Sequence, residues 1–341
     1  KKQTYYELVI DTTPFYAEMG GQVGDSGVLR SANETVEIFD TKQENNLSIH
    51  LTKRLPENPA AEFMAEVDEV ARRSCEANHS ATHLLDQALR EVLGAHVEQK
   101  GSLVTPTYLR FDLSHYQKVT PEELRQVERI INRRIREDIP LQDHRDVPIE
   151  EAKKMGAIAL FGEKYGDRVR VVQFDKSVEF CGGCHVRSTG RIGLFRIVSE
   201  SSVAAGIRRI EAVTAEAAEE MCYRQNDVLN DLRALFNNAK DISVAVHNAI
   251  EENDELKKEV EKFMQLRVKE LGKELMKIAE NRGDIKLLKY VVKDERAPDL
   301  IKELAFQMSA QLQENSFCEI GSHQGGKPLL TVMISKQLEE R

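Results

Sequence analysis

No stretch of the 341-residue sequence is apolar for long enough to span a membrane, and its start lacks a signal-peptide pattern. A cytoplasmic protein with no membrane partner is therefore expected. A disulfide framework is missing as well. Of Cys75, Cys181, Cys184, Cys222 and Cys318, only one pair is close in sequence, which points to a reducing compartment. Excess positive charge is also absent. The net charge of −9 argues at first against nucleic acid, yet an acidic helical region can mask a basic face elsewhere, so composition leaves the partner open. Proline is absent between 215 and 280, where the pattern is helical throughout. The glycine cluster of Phe15-Tyr-Ala-Glu-Met-Gly-Gly-Gln-Val-Gly-Asp-Ser-Gly27 has no following Gly-Lys-Ser/Thr, which excludes a phosphate loop and leaves a tight loop between strands.

What is present describes a globular chain, 41% hydrophobic and 31% charged, too long for one core, so two to four domains are expected. Lys1 opens the sequence without an initiator Met, and Arg341 closes it as another helix begins, so a piece of a longer protein is expected. Residues 1–68 read as short strands, among them Tyr6-Glu-Leu-Val-Ile, Val36-Glu-Ile-Phe and Leu47-Ser-Ile-His-Leu. Residues 69–214 read as a mixed α+β layer. Its first helix, from Asp68 to about Leu93, carries a stripe of Val70, Leu84, Leu85, Ala88, Leu89, Val92 and Leu93 and ends at Gly94. Thr120-Pro-Glu-Glu caps a second, whose exposed side carries Arg125, Arg129, Arg133, Arg134 and Arg136. Residues 215–282 form a helical arm, broken near Asn237-Asn238 and Asp241. Its seam of Leu256, Val260, Met264, Val268, Leu271, Leu275 and Ile278 suits an antiparallel hairpin or coiled coil. Residues 283–341 read as a small βαββ-like α/β unit, with a helix opening at Ala297-Pro298.

The chemistry gathers in two strings. Cys181-Gly-Gly-Cys-His185 alone matches covalent haem attachment, which needs an oxidising compartment, or a thiol–disulfide site, which needs a helix behind it. Neither context is present. His79-Ser-Ala-Thr-His83 places two imidazoles one turn apart on a helix. Joined, the strings supply five candidate ligands for zinc: His79, His83, Cys181, Cys184 and His185. Adjacent Cys184 and His185 ligate together only across a sharp bend. Cys181 with His185, across Gly182-Gly183, is the more comfortable pair, leaving Cys184 a bystander. Four protein ligands would close the site, whereas three would leave a position for water. No glutamate follows His79, which argues against the metalloprotease use of such a helix.

These strings, with Gln99-Lys-Gly-Ser102-Leu-Val, Leu109-Arg-Phe-Asp, Gly156-Ala-Ile-Ala-Leu-Phe-Gly-Glu-Lys-Tyr165, Gly193-Leu-Phe-Arg-Ile and Ala205-Gly-Ile-Arg-Arg-Ile-Glu-Ala-Val, resemble the editing domain of the alanyl-tRNA synthetases. The family often has Thr where this chain has Cys184. The resemblance implies an α+β fold: a small N-terminal β-barrel, a zinc-binding editing core, the helical arm and a partial C-terminal unit. It implies one zinc on His79, His83, Cys181 and His185, with pocket roles for Thr82, Gln99 and Ser102. The reaction implied is hydrolysis of tRNA(Ala) mischarged with serine or glycine. The parent enzymes attach alanine with ATP, but their nucleotide-binding domain is not in this stretch, so aminoacylation by it is not expected. The partner implied is the acceptor end of tRNA(Ala), not DNA, with a homodimer through the C-terminal region as an option. Plausible phosphate contacts are Lys100, Arg129, Arg133, Lys164, Arg208 and Arg209. The alternative is a tRNA-binding and dimerisation module whose zinc is structural.

Overall fold

The computed structural model describes residues 4–158, 166–292, 300, 301, 303–305, 308, 315–324 and 327–339. The chain divides into two compact units, Lys1–Val228 and Leu229–Arg341. Both combine helices with sheets, so the α+β class holds.

The first unit opens with β1 (Tyr6–Leu8), β2 (Gly27–Arg30), β3 (Thr35–Ile38), β4 (Asp40–Glu44), β5 (Leu47–Thr52) and β6 (Met64–Val67). The expected barrel is not what they form. They make two three-stranded antiparallel sheets, β1-β5-β4 and β3-β2-β6, and among the described residues no pairing closes a ring. Phe15, Leu29, Val36 and Ile38 form the small core here. β4, Asp-Thr-Lys-Gln-Glu, buries only Thr41, so it carries almost no apolar signal in the sequence.

Helix α1 (Glu69–Leu93) is the axis of the unit. Asp68 caps it by accepting from the Val70 and Ala71 amides, and Gly94, at φ 115°, ends it. Almost every residue from Cys75 to Leu89 is buried, while Val70, at the solvated start of the stripe, is exposed. Strands β7 (Gln99–Val104) and β8 (Leu109–Ser114) follow, then α2 (Pro121–Arg136), opened by a Thr120–Glu123 capping box. Beyond it come β9 (Gln142–Pro148), α3 (Ile149–Lys154), β10 (Arg168–Phe174), β11 (Ser177–Phe180), a 3-10 turn at Thr189–Ile192, β12 (Phe195–Ala204) and β13 (Ile207–Thr214). The sheet β12-β13-β8-β7 is antiparallel, and β11-β10-β9 forms a second. Leu84, Leu85 and Leu89 of α1 join Phe111, Ile131, Phe174 and Phe195 in one core. Arg134 is not exposed as expected: its guanidinium turns inward to Glu91 of α1.

Helix α4 (Ala215–Leu235) ends before Asn237 and Asn238, both left-handed, and Asp241 caps α5 (Ile242–Lys277). In the second unit β14 (Glu280–Arg282), β15 (Ile285–Val291), β16 (Ser316–Gln324) and β17 (Lys327–Ile334) form a sheet in chain order, with only β15 and β16 parallel. The α5 seam does not behave as one stripe. Val268, Leu271 and Leu275 are buried with Leu288, Leu304, Cys318 and Ile320, whereas Leu256 and Val260 are exposed. The far end of the helix is therefore covered by strand residues of this unit together with the helical residues Leu300, Ile301 and Leu304. The expected helix start at Ala297-Pro298 lies outside the described residues, though Leu300, Ile301 and Leu304 are helical.

Candidate metal centre

His79 and His83 share the buried face of α1. Cys181 and His185 come from the loop after β11, and the four ligand atoms lie within 4.8 Å of one another. Cys181 Sγ is 3.4 Å from His79 Nε2 and 3.2 Å from His185 Nε2. Zinc–nitrogen and zinc–sulfur bonds at tetrahedral angles put such atoms about 3.5 Å apart. Cys184 is not in the group. It is half-buried, and its amide donates to Gln22 Oε1 at 2.9 Å.

The surroundings fix the rings. Gln22 Oε1 accepts from His79 Nδ1 at 2.7 Å, and Ser80 Oγ lies 3.1 Å from His185 Nδ1, so both histidines present Nε2 inward. Ser80 Oγ also accepts from the Val186 amide. Glu179 Oε2 is 3.4 Å from His83 Nε2, leaving His83 Nδ1 buried with no hydrogen-bond partner among the described residues. Burial, reinforced by Arg170 and the neighbouring imidazoles, holds His79 and His185 well below the usual histidine range, and burial with Arg170 pushes His83 down to about 3. Burial raises Glu179 to about 7. Neutral imidazoles with inward lone pairs, one of them orphaned, beside a thiol are a donor set that fits zinc.

The loop is held just as closely. Arg170 Nη1 donates to the Gly183 carbonyl at 2.6 Å, while its Nε donates to Asp143 Oδ1 at 2.7 Å. A Cβ on Gly183 would sit 2.1 Å from His79 Cε1, so only glycine fits against that ring.

Gln22 was not visible as a site residue in the sequence; the one signal was its place beside Gly20-Gly21. The glycine cluster does more than turn the chain. Gly21, at φ 84°, lies so near the Ser102 backbone that a Cβ would fall 2.6 Å from its carbonyl oxygen. The Val104 amide donates to the Gly21 carbonyl at 2.7 Å, and the Val23 amide to the Val104 carbonyl at 3.0 Å. The loop thus stitches β7 to the candidate ligands.

The remaining expected residues fare differently. Gln99 and Ser102 stand on β7, half-buried, with no side-chain hydrogen bond among the described residues. Thr82 is buried, and its hydroxyl donates to the Asn78 carbonyl at 2.8 Å, which leaves it only as an acceptor. Lys100 pairs with Glu98 at 2.8 Å. Arg129 and Arg133 are exposed on α2. Arg208 is paired with Glu200, and Arg209 grips Asp112, directly across the strand pair, at 2.7 and 2.8 Å. Lys164 lies outside the described residues.

Comparison with known proteins defines the class first. Residues 1–69 match the class II (A) tRNA synthetases, and residues 169–211 match the threonyl and alanyl tRNA synthetase second additional domain. Within that class the chain is homologous to the alanine–tRNA ligases. It is 58% identical over 99% of its length to the alanine–tRNA ligase of Bacteroides fragilis and 57% identical, again over 99%, to that of Bacteroides thetaiotaomicron. That of Flavobacterium psychrophilum is 44% identical over 98% of the chain. In each case the chain spans 38% of the relative's own length. Among the described residues no helix is long and apolar enough to cross a membrane.

Proposed function

We propose that this chain hydrolyses the aminoacyl ester of tRNA(Ala) mischarged with serine or glycine, with zinc held by His79, His83, Cys181 and His185. The observation that supports this most is the continuous link from these ligands through Gln22 and Gly21 to β7, where Gln99 and Ser102 carry polar groups unpartnered among the described residues. A hydrophobic pocket cannot strongly reject a side chain that merely adds a hydroxyl, so separating serine from alanine calls for a second, hydrolytic site. Gln99 and Ser102 can each hydrogen-bond the serine hydroxyl, and Thr82 can accept from it. An alanyl ester would leave those groups unpaired and be bound less well. Bound zinc would supply Lewis acidity to the centre. Gln22 and Ser80 hold the His79 and His185 rings, and the Arg170 grip on Gly183 holds the Cys181 loop. The substrate's phosphates fall to Arg129 and Arg133, with Lys100, Lys164, Arg208 and Arg209 as further contacts, those described needing first to loosen their carboxylates where paired.

Deacylation of Ser-tRNA(Ala) by the chain, with and without Cys181→Ala, tests this reading. Loss of activity together with loss of zinc is expected, and equal activity in both would remove the centre from the reaction. One feature favours a second reading, a tRNA-binding and dimerising module with structural zinc: four protein groups are enough to close a tetrahedral site. Tight tRNA binding and a dimer in sedimentation, with no deacylation, would select it. The ligation of alanine to tRNA that the relatives' name denotes, with its ATP requirement, is proposed only for a longer cytoplasmic protein containing this stretch.

A further inference from the structure

Beside the metal centre the first unit carries a cleft of about 390 Å³ lined by Arg73, Glu76, Val186, Arg187 and Arg191. Two elements build it. Glu76 and Arg73 lie on α1 about one and two turns before His79, and Val186 and Arg187 directly follow His185. The cleft is coupled to the ligands by a hydrogen bond, since Ser80 Oγ joins His185 Nδ1 to the Val186 amide. Its charge is unbalanced: three guanidinium groups face one carboxylate. Arg73 reaches only the exposed Glu69 of its own helix, and the exposed Arg187 and Arg191 form no ion pair among the described residues. With Glu76 in the cleft and Glu69 on Arg73, the three cations beside the centre still leave a net positive charge, and guanidinium forks suit phosphate oxygens.

We infer that this cleft is the subsite for the phosphodiester backbone of the unpaired 3′ end of the substrate RNA, holding the terminal nucleotides so that the ester reaches the centre. The inference rests on the hydrolase reading for its substrate. A larger groove of about 640 Å³ between α2 and β12 is the rival surface, lined by Arg125, Arg129, Arg136 and Arg196. There Arg196 is engaged by Glu128 at 3.7 Å, and among the described residues no hydrogen bond ties the groove to a candidate ligand.

Binding of a labelled RNA with a single-stranded 3′ end, measured by anisotropy across salt concentrations, tests the assignment. On single strands each phosphate contact contributes about 0.7 to the slope of log affinity against log salt. Arg191→Gln should reduce the slope by about 0.7 and the Arg187→Gln, Arg191→Gln double variant by about 1.4. Deacylation by Arg191→Gln should show a raised KM with kcat retained, and its zinc content should match that of the parent chain. An unchanged slope in the double variant overturns the assignment, as does a slope that falls only for Arg125→Gln, Arg129→Gln. Should Arg187→Gln disturb the neighbouring His185 and shed zinc, Arg191→Gln alone decides. A parent chain that binds RNA with the expected slope changes but does not deacylate sinks the hydrolase reading and leaves the cleft standing. One that deacylates normally while the cleft variants keep their slope sinks the cleft alone.

Discussion

Gln22→Met removes one acceptor from beneath the metal centre and leaves a side chain of similar length. In the native chain that oxygen accepts from His79 Nδ1 at 2.7 Å and from the Cys184 amide at 2.9 Å, and Gln22 is fully buried. Two donors are therefore orphaned, each costing about 1–3 kcal/mol, so the metal-free chain should lose about 2–6 kcal/mol. The histidine effect is separable. Without its acceptor the His79 ring is free to turn Nε2 away from Cys181, and loss of such a partner typically weakens metal binding about 10–100-fold, or about 1.4–2.7 kcal/mol. Zinc affinity by competition with a chromophoric chelator gives the second quantity, and urea unfolding with and without zinc gives the first. Gln22→Glu is the companion variant. It keeps an acceptor and replaces the amide nitrogen, buried without a hydrogen-bond partner among the described residues, with a second carboxyl oxygen. It should hold zinc better than Gln22→Met. Native zinc affinity in Gln22→Met would refute the argument that this loop residue orients His79.

Gly183→Ala forces a methyl to 2.1 Å from His79 Cε1, so it should reduce zinc content severely while leaving the secondary structure by circular dichroism near that of the parent. Ser102→Ala should slow deacylation of seryl more than glycyl esters, because only the seryl hydroxyl has a partner to lose; equal slowing of both would count against a pocket role. Phe111→Ala, at a fully buried core position, should cost about 3–5 kcal/mol in urea unfolding. His50 is buried with Nδ1 donating to the Leu8 carbonyl and Nε2 beside the Thr13 hydroxyl, and burial lowers its pKa from 6.5. The folded ring thus stays neutral where the unfolded one takes a proton, so its stability contribution is full above pH 6.5 and is lost as pH falls below that value. Thermal melts at pH 7.5 and 5.5 should show a smaller drop in His50→Gln than in the parent chain, both values being about one unit either side of the ordinary histidine pKa.

Local pattern carried the elements whose identity is written in neighbouring residues. Thr120-Pro-Glu-Glu caps α2 because hydroxyl, ring and carboxylate meet within one turn. His79 and His83 share a face because helical spacing puts them there. The same reasoning passed over β4 and β9, whose side chains are mostly polar and whose strand form comes from pairing with β5 and β10. It also left open what covers the α5 stripe, since apolar spacing states that a face is to be covered and not by what.

By itself, then, the sequence pointed to the α+β character and to five candidate ligands, His79, His83, Cys181, Cys184 and His185, because each follows from residue type and short spacing, and the fold brings four of them together. Tertiary structure alone decided what surrounds them. Gln22 reaches His79 across 57 residues, Arg209 meets Asp112 across 97, and Ser80 meets His185 across 105. Those partners are set by how sheets and loops stack, and no local pattern encodes a contact whose two halves belong to different elements. The same is true of charge. Arg208 and Arg209 read as free cations along the chain, and the fold spends both on carboxylates while leaving Arg187 and Arg191 beside the centre unpaired among the described residues.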